Sequence, residues 1–261
     1  MIGAIARLPV VALVPALVPA SAGTSATRPP VALTAAPAHL VLSGGTRIAV
    51  QVTNSGTKRV VVDVARAGFA LDLRGRPRIV RGRSARSAAP WLMLRPGRLD
   101  LAPRSSASLM VSARLPRRPE PGDHDALVLL STRPLSNARL AVRVRLGLVV
   151  VVRAPGKVVR RLELRGLRVT RRGRARALDL VVVNRGNVTE SLERARAVLS
   201  RARTGRRVAT LVAGSRDVRP RTRGIVEFRL RGNVRGVMTA RVVVPAQPGR
   251  NVLRRTYRIR L

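Results

Sequence analysis

The chain has 261 residues, of which 52 are Lys or Arg and 12 are Asp or Glu, so its formal net charge at pH 7 is +40. Cysteine is absent, which excludes disulfides, thiolate metal sites and a thiol nucleophile. Hydrophobic residues make up 46% of the chain, too many for a disordered basic tail. No window of about 20 charge-free apolar residues follows the N-terminus, so a bundle of membrane-spanning helices is excluded as well.

Arginine dominates the charge, because Lys58 and Lys157 are the only lysines. This bias indicates a G+C-rich genome, but it does not explain the shortage of acids. The basic excess therefore predicts attraction to a polyanion, such as nucleic acid, anionic lipid or an anionic wall polymer. The alternative is a solvated basic surface with no specific ligand.

Residues 1–26 are typical of a secretory signal peptide. Arg7 is the only cation, an apolar run follows it, and residues 20–22 (ASA) and 24–26 (TSA) both offer a small-x-small cleavage pattern. The alternative is an N-terminal core segment. Export predicts a secreted, extracytoplasmic protein and argues against intracellular nucleic acid as its partner.

From residue 27 to residue 156 the apolar positions alternate, as in half-buried β-strands. Ile48, Val50 and Val52 share one face of a strand, and a return strand follows from residue 60 to residue 64. The longest alternation covers residues 140–152. Turn residues recur about every ten residues, the spacing of a β-sandwich.

A second set of about seven predicted strands follows the break at residues 154–157 (APGK). Residues 190–200 (ESLERARAVLS) have helical propensity, but their position just after a turn favours a strand. The sequence therefore predicts an all-β protein with two tandem immunoglobulin-like β-sandwiches, in residues 27–156 and 157–261, after the signal peptide.

An internal repeat supports two copies of one module. Residues 52–56 (VTNSG) match residues 182–186 (VVNRG), and residues 101–112 match residues 218–229 in a Pro-Arg turn that leads into an alternating strand. The alternative is chance similarity between two generic sandwiches.

The second module is the more basic, with a net charge of +23 against +16 for the first. Its arginines cluster around two predicted hairpins, and guanidinium groups suit bidentate contacts with phosphate or carboxylate. The predicted polyanion-binding residues are Arg160, Arg161, Arg171, Arg172, Arg174, Arg176, Arg201, Arg203, Arg206 and Arg207.

The order of several motifs resembles the WxL-interacting proteins of bacterial surfaces. The series comprises the Val-x-Asn turn, residues 89–96 (APWLMLRP), residues 101–106 (LAPRSS), residues 115–116 (LP) and residues 121–127 (PGDHDAL), with a second turn at residues 184–187 (NRGN). The resemblance covers residues 31–250. It implies a first module similar to the N-terminal domain of pilus chaperones and linked to peptidoglycan binding. It also implies a second module that attaches host or surface partners.

Members of that family usually carry a C-terminal transmembrane helix and a basic tail, which this sequence lacks. We therefore expect release, or retention by non-covalent contacts, in place of a membrane anchor.

The sequence offers little for catalysis. His124 lies between Asp123 and Asp125, but neighbours on a strand point to opposite faces, so a solvated hairpin entry is favoured over a metal site. His39 is expected at the surface. No nucleophile elbow, carboxylate pair or phosphate-cradling loop stands out. We expect no enzyme activity, no metal and no cofactor.

Single-stranded nucleic acid is also disfavoured, because only four aromatic residues exist and Trp91 and Phe228 are expected in the cores.

Residues 140–152 support a second function. Pilus chaperones complete a subunit's sheet with an exposed alternating strand, and Val142, Val144, Leu146, Leu148 and Val150 could form such an augmentation strand. Pairing within its own sandwich explains the same pattern.

The leading hypothesis is a secreted scaffolding protein that binds anionic wall polymer or peptidoglycan and a surface-protein partner. An assembly chaperone acting by strand augmentation is the alternative.

Overall fold

The structure, a computed structural model, describes residues 29–80, 86–133, 143–173, 175–214, 216–245 and 252–261. The signal peptide predicted for residues 1–26 lies outside these residues. The described chain forms β-strands in two successive sandwiches, each around its own apolar core. The predicted all-β class with two immunoglobulin-like sandwiches is confirmed.

The first sandwich packs a four-stranded sheet, in the order β1-β3-β8-β6, on a sheet in the order β2-β10-β9-β4-β5, where β7 also pairs with β4. Its strands are β1 (Leu33–Ala36), β2 (His39–Ser43), β3 (Arg47–Asn54), β4 (Val60–Leu71), β5 (Pro77–Val80), β6 (Leu92–Arg95), β7 (Arg98–Leu101), β8 (Ser105–Ala113), β9 (Gly122–Thr132) and β10 (Arg145–Ala154).

The second sandwich contains the sheets β11-β12-β17 and β15-β14-β18-β19, with a short β13-β16 pair. Its strands are β11 (Leu162–Arg172), β12 (Ala175–Asn184), β13 (Glu190–Ser191), β14 (Arg196–Arg201), β15 (Arg207–Val212), β16 (Asp217–Val218), β17 (Arg223–Leu230), β18 (Val237–Val244) and β19 (Leu253–Arg260).

Alternation explains both cores. In β3, Val50 and Val52 are fully buried while Arg47 and Gln51 are exposed, because successive side chains of a strand point to opposite faces. Phe228 is the largest fully buried side chain of the second core. Trp91 packs partly buried against the first core, at the end of a 3₁₀ turn.

The repeated Asn turn is built in the same way in both sandwiches. Asn54 is fully buried, and its Nδ2 donates to the carbonyl oxygens of Lys58 and Leu101, at 2.8 and 3.3 Å. Asn184 is also fully buried, and its Nδ2 donates to those of Val188 and Val218, at 2.8 and 2.9 Å. In each turn the asparagine Oδ1 accepts from the glycine N–H two residues on.

Those two glycines are needed for close packing. A Cβ on Gly56 would lie 2.6 Å from the carbonyl oxygen of Pro30, and one on Gly186 would lie 2.3 Å from that of Val159. Both distances are too short for real carbon–oxygen contacts, and the obstacle is backbone. The repeat therefore reproduces a three-dimensional turn as well as a sequence pattern.

The repeated Pro-Arg turns also share their geometry. Arg104 and Arg221 both have positive φ, 56° and 55°, at the third position of a turn with proline at its second position. This is the arrangement of a type II turn, which usually places glycine or asparagine there. The hydroxyl groups of Ser105 and Thr222 then donate back to the first carbonyl of their turns, at 2.8 and 2.9 Å.

The predicted strand bounds need two corrections. Of the strand predicted at residues 140–152, residues 140–142 lie outside the described residues and the observed strand starts at Arg145. The segment 190–200 is extended, as preferred over a helix, but a turn at residues 192–195 divides it into β13 and β14.

Candidate binding surfaces

The N-terminal half of β10 is an open sheet edge. β9 pairs with β10 along its whole length, but β2 pairs only with Val149–Arg153 on the other side. Residues 145–148, which we call the open edge of β10, therefore have no partner strand there within the described chain. The N–H of Val149 donates to the carbonyl of Ala38, and alternate residues direct their backbone groups to one side, so the N–H of Gly147 faces the opening.

The side chains of the predicted augmentation strand pack mainly on the first core. Leu148 and Val150 are buried, and Val144 and Leu146 are partly buried against the same cluster. Val142 lies outside the described residues. What the open edge offers a partner is therefore backbone hydrogen-bonding groups, with Arg145 exposed beside them.

A hairpin of the first sandwich reaches onto the second. The tip between β4 and β5 places the Arg74 guanidinium 2.9 Å from the Asp179 carboxylate and 3.6 Å from that of Glu227. The backbone N–H of Ile225 donates to the carbonyl of Leu73 at 2.7 Å. The hairpin thus supplies one backbone hydrogen bond to β17, on the side away from β12.

Arg219 forms the second contact between the sandwiches. Its guanidinium carbon lies 3.7 Å from the centre of the Phe69 ring, and its Nη1 lies 3.2 Å from the Asp125 carboxylate. Burial raises the pKa of the Asp125 carboxyl to about 6, although the charge of Arg219 opposes that shift. The pKa of Arg219 is lowered, because its guanidinium is itself buried.

Asp123 forms the third contact. Arg153 donates to both of its carboxylate oxygens, at 2.7 and 3.1 Å, and the backbone N–H of Thr189 donates at 2.8 Å. Gly122 has a φ of +109°, and a Cβ there would lie 2.1 Å from the carbonyl oxygen of Asn187. These contacts, which we call the junction, fix the second sandwich against β4, β9 and the tip of the β4–β5 hairpin.

The solvated position predicted for His124 is wrong. His124 is 1% exposed, its ring centre lies 4.4 Å from that of Trp91, and its Nε2 is 2.8 Å from the carbonyl of Glu120. The strand entry is covered because Trp91 packs over it. The neighbouring acids do point away from His124, to Arg153 and Arg219. His39 is exposed, as predicted.

The structure separates the predicted arginine cluster into two groups. Arg160 and Arg161 lie near the junction beside carboxylates, with Arg160 3.2 Å from Glu190 and Arg161 3.6 Å from Glu163. Six of the others, Arg171, Arg176, Arg201, Arg203, Arg206 and Arg207, come together at the opposite end of the second sandwich. Arg174 and the side chain of Arg172 lie outside the described residues.

That opposite end is formed by three connections with their flanking strand residues: 171–173 and 175–176 at the turn between β11 and β12, 201–207 between β14 and β15, and 231–236 between β17 and β18. We call these residues the distal cap. Their described side chains include no Asp or Glu and eight arginines, namely Arg171, Arg176, Arg201, Arg203, Arg206, Arg207, Arg231 and Arg235.

The junction residues are not among the residues predicted from the sequence. A signal for them existed, because Asp123, Asp125 and Asp179 stand within apolar strand segments, where a buried charge needs a partner. The partners are Arg153, Arg219 and Arg74. No spacing selects these three from 50 arginines, since Arg74 is 105 positions from Asp179.

The described residues contain no helix long and apolar enough to cross a membrane. Nor does this part of the chain hold any group of three His, Asp or Glu side chains arranged for a metal ion. The expectation of a non-enzymatic protein is untested by these observations.

No protein-family model matches the chain, and no curated protein sequence is similar to it. Among solved structures it resembles a chain of the chaperone–tip adhesin complex of CFA/I fimbriae, with a TM-score of 0.50, 11% identity, and coverage of 86% of this chain and 98% of that one. The class 5 fimbriae chaperone CfaA matches with a TM-score of 0.49 and 12% identity, covering 86% of this chain and 98% of that one. A chain of the CsuC–CsuE pre-assembly complex of Acinetobacter baumannii matches with a TM-score of 0.46 and 11% identity, covering 85% of this chain and 97% of that one.

The structural neighbours are pilus-chaperone-like proteins. At these identities the likeness shows the fold alone. The predicted similarity to pilus chaperones is confirmed at that level, and membership of the WxL-interacting family stays a prediction.

Proposed function

We propose that this chain is a non-enzymatic, extracytoplasmic binding protein that holds a β-rich surface protein at the open edge of β10, as an assembly chaperone does by β-strand augmentation. The proposal rests on the incomplete pairing of β10. β2 pairs only with the C-terminal half of β10, so residues 145–148 have no partner strand on that side within the described chain. The fold shared with a fimbrial chaperone complex supports it.

Such an edge can form backbone hydrogen bonds with one more strand. Main-chain N–H and C=O groups supply the affinity of strand addition, while neighbouring side chains supply specificity. Exposed edges are usually blocked because they promote aggregation. The open edge of β10 is fixed by the core on one face and by β9 on one side. It is therefore ordered before a partner binds, which reduces the entropy cost of binding.

The test is a proline at Gly147, which removes the N–H that faces the opening. A Cβ at this position would meet only Leu127 and Leu129 side chains, at 3.7 and 3.9 Å, so Gly147→Ala is the matched control. The probe is an immunoglobulin-like domain from which an edge strand has been deleted, and the measurement is light scattering during its refolding.

We expect the wild type and Gly147→Ala to keep the probe in solution at high salt, and Gly147→Pro to lose most of that protection. Equal protection by the proline variant, with both variants folded by circular dichroism, would refute binding at this edge.

A second candidate function is association with an anionic polymer of the cell envelope, such as a wall polymer or peptidoglycan. The net charge of +40 and the concentration of arginine in the distal cap favour it. The mature protein should sediment with isolated cell walls at low salt and be released at high salt, because exposed ionic contacts are screened. Failure to sediment at low salt would exclude this function and leave the chaperone proposal intact.

A further inference from the structure

Neutral hydrogen-bond acceptors hold arginines of the distal cap close together. The Oδ1 atom of Asn233 accepts from the guanidinium groups of both Arg176 and Arg235, each at 3.0 Å. Arg201 donates to the backbone carbonyl of Arg235 at 2.7 Å. These hydrogen bonds link the three connections of the cap to one another. Because the acceptors are neutral, they do not compensate the positive charge of the arginines.

The arginines near the junction are arranged differently. Glu163 lies among Arg161, Arg165 and Arg185, which lower the pKa of its carboxyl, led by the hydrogen bond from Arg185. Near the junction, these arginines therefore meet a carboxylate. At the cap, like charges are held close together, and a bound anion would relieve their mutual repulsion.

The composition of the cap restricts the kind of anion. Its three connections contain no aromatic residue, whereas proteins that bind single-stranded nucleic acid stack bases on aromatic side chains. Aromatic residues also anchor proteins at membrane interfaces. The cap therefore fits a chain of repeated anionic groups without bases better than it fits RNA or a lipid surface.

The geometry favours phosphate over carboxylate. Donors of the cap come from three separate connections of the sandwich. The oxygens of a phosphate group are arranged tetrahedrally and accept from several directions, while both oxygens of a carboxylate lie in one plane.

We infer that the distal cap is a binding site for a linear phosphate-bearing polymer, at the end of the second sandwich opposite the junction. The inference rests on the proposed association with an anionic polymer, and it adds the location and the phosphate chemistry. Arg160 and Arg161, paired with carboxylates, do not belong to this site. The site and the open edge of β10 lie on different sandwiches, so both ligands can bind at once.

The test measures the anisotropy of end-labelled inorganic polyphosphate over a salt series. The distal variant carries Arg171→Gln, Arg203→Gln, Arg206→Gln and Arg231→Gln, all exposed positions. The control makes the same charge change at four exposed arginines of the first sandwich, Arg47, Arg95, Arg114 and Arg118.

We expect the distal variant to bind at least about tenfold more weakly at low salt, and its salt slope to fall by about one for each phosphate contact removed. The control should retain nearly all of the affinity. Equal losses in both variants would overturn the location but not the proposed association. No binding by the wild type would refute the association itself.

Two further measurements test the details. Asn233→Asp, isosteric and at an exposed position, should weaken polyphosphate binding, while the exposed Gln51→Glu in the first sandwich should not. Failure of Asn233→Asp to weaken binding would count against the cap. Polyglutamate of equal charge should bind more weakly than polyphosphate, and equal affinity for both would overturn the assignment to phosphate.

Discussion

At the scale of single residues, Asn54 and Asn184 each satisfy backbone groups that would otherwise be buried without partners. We expect Asn54→Ala and Asn184→Ala each to lower the free energy of unfolding by about 2–3 kcal/mol, because the abandoned carbonyls keep their desolvation cost. Urea denaturation measures this. Asn233→Ala, at an exposed position, is the control and should change stability by less than about 0.5 kcal/mol. Losses no larger than that of the control would contradict the structural role of these turns.

Asp125 makes a second prediction at this scale. Its pKa is raised to about 6 in the folded chain from 3.8, so the folded state holds a proton that the unfolded state releases between these values. Stability contributed by this group is therefore fully present below the unfolded pKa of 3.8 and is lost as pH rises through about 6, by about 3 kcal/mol in all. The difference in unfolding free energy between wild type and Asp125→Asn, measured from pH 4 to pH 7, should show this decline. A difference independent of pH would show that Asp125 titrates normally.

At the scale of elements, the β4–β5 hairpin carries the contact most easily tested. Arg74→Ala would leave Asp179, whose side chain is 6% exposed, without its cation and should cost about 2 kcal/mol. Arg59→Ala removes a similarly short pair with Asp100, but the two side chains are 72% and 49% exposed, so it should cost much less stability. The urea denaturation midpoints of the two variants measure the difference in stability loss. Equal midpoints would refute the larger contribution expected of the Arg74 pair.

The elements also show what sequence patterns can predict. Strands with alternating apolar residues, such as β3 and β17, are predicted from periodicity because one face of each is buried. β5 was missed, since its residues Pro77–Val80 (PRIV) show no apolar alternation and only Val80 is partly buried. The open edge of β10 was equally beyond prediction. It depends on β2 being only five residues long and pairing in parallel, which is a property of the assembled sheet.

At the scale of the whole molecule, the junction should make two cores behave as one unit. We expect the wild type to unfold in a single calorimetric transition, and the double variant Arg74→Ala/Arg219→Ala to unfold in two, because it loses the two arginine contacts that pair buried carboxylates across the junction. The double variant Arg59→Ala/Arg98→Ala, at exposed pairs within the first sandwich, should keep the single transition. Two transitions in the wild type would show that the junction does not couple the cores.

These contacts show which of the positive charges of the chain are compensated by acids and which are not. Acids are scarce, and most of those described are paired with arginine, either within a sandwich or across the junction. The sequence predicted a basic second module, but it could not separate compensated arginines from uncompensated ones. That separation depends on which turns the fold brings to the same end.

The junction also has a mechanical consequence. A protein held at β10 and a polymer held at the far end of the second sandwich would pull on the chain in opposite directions. Arg74, Arg219 and Asp123 lie on different segments of the junction and span it side by side. Tension would therefore be shared among them in parallel, together with the covalent linker, and no single ion pair would bear the whole force. With both proposed ligands bound, the chain would then act as a stiff tether between them.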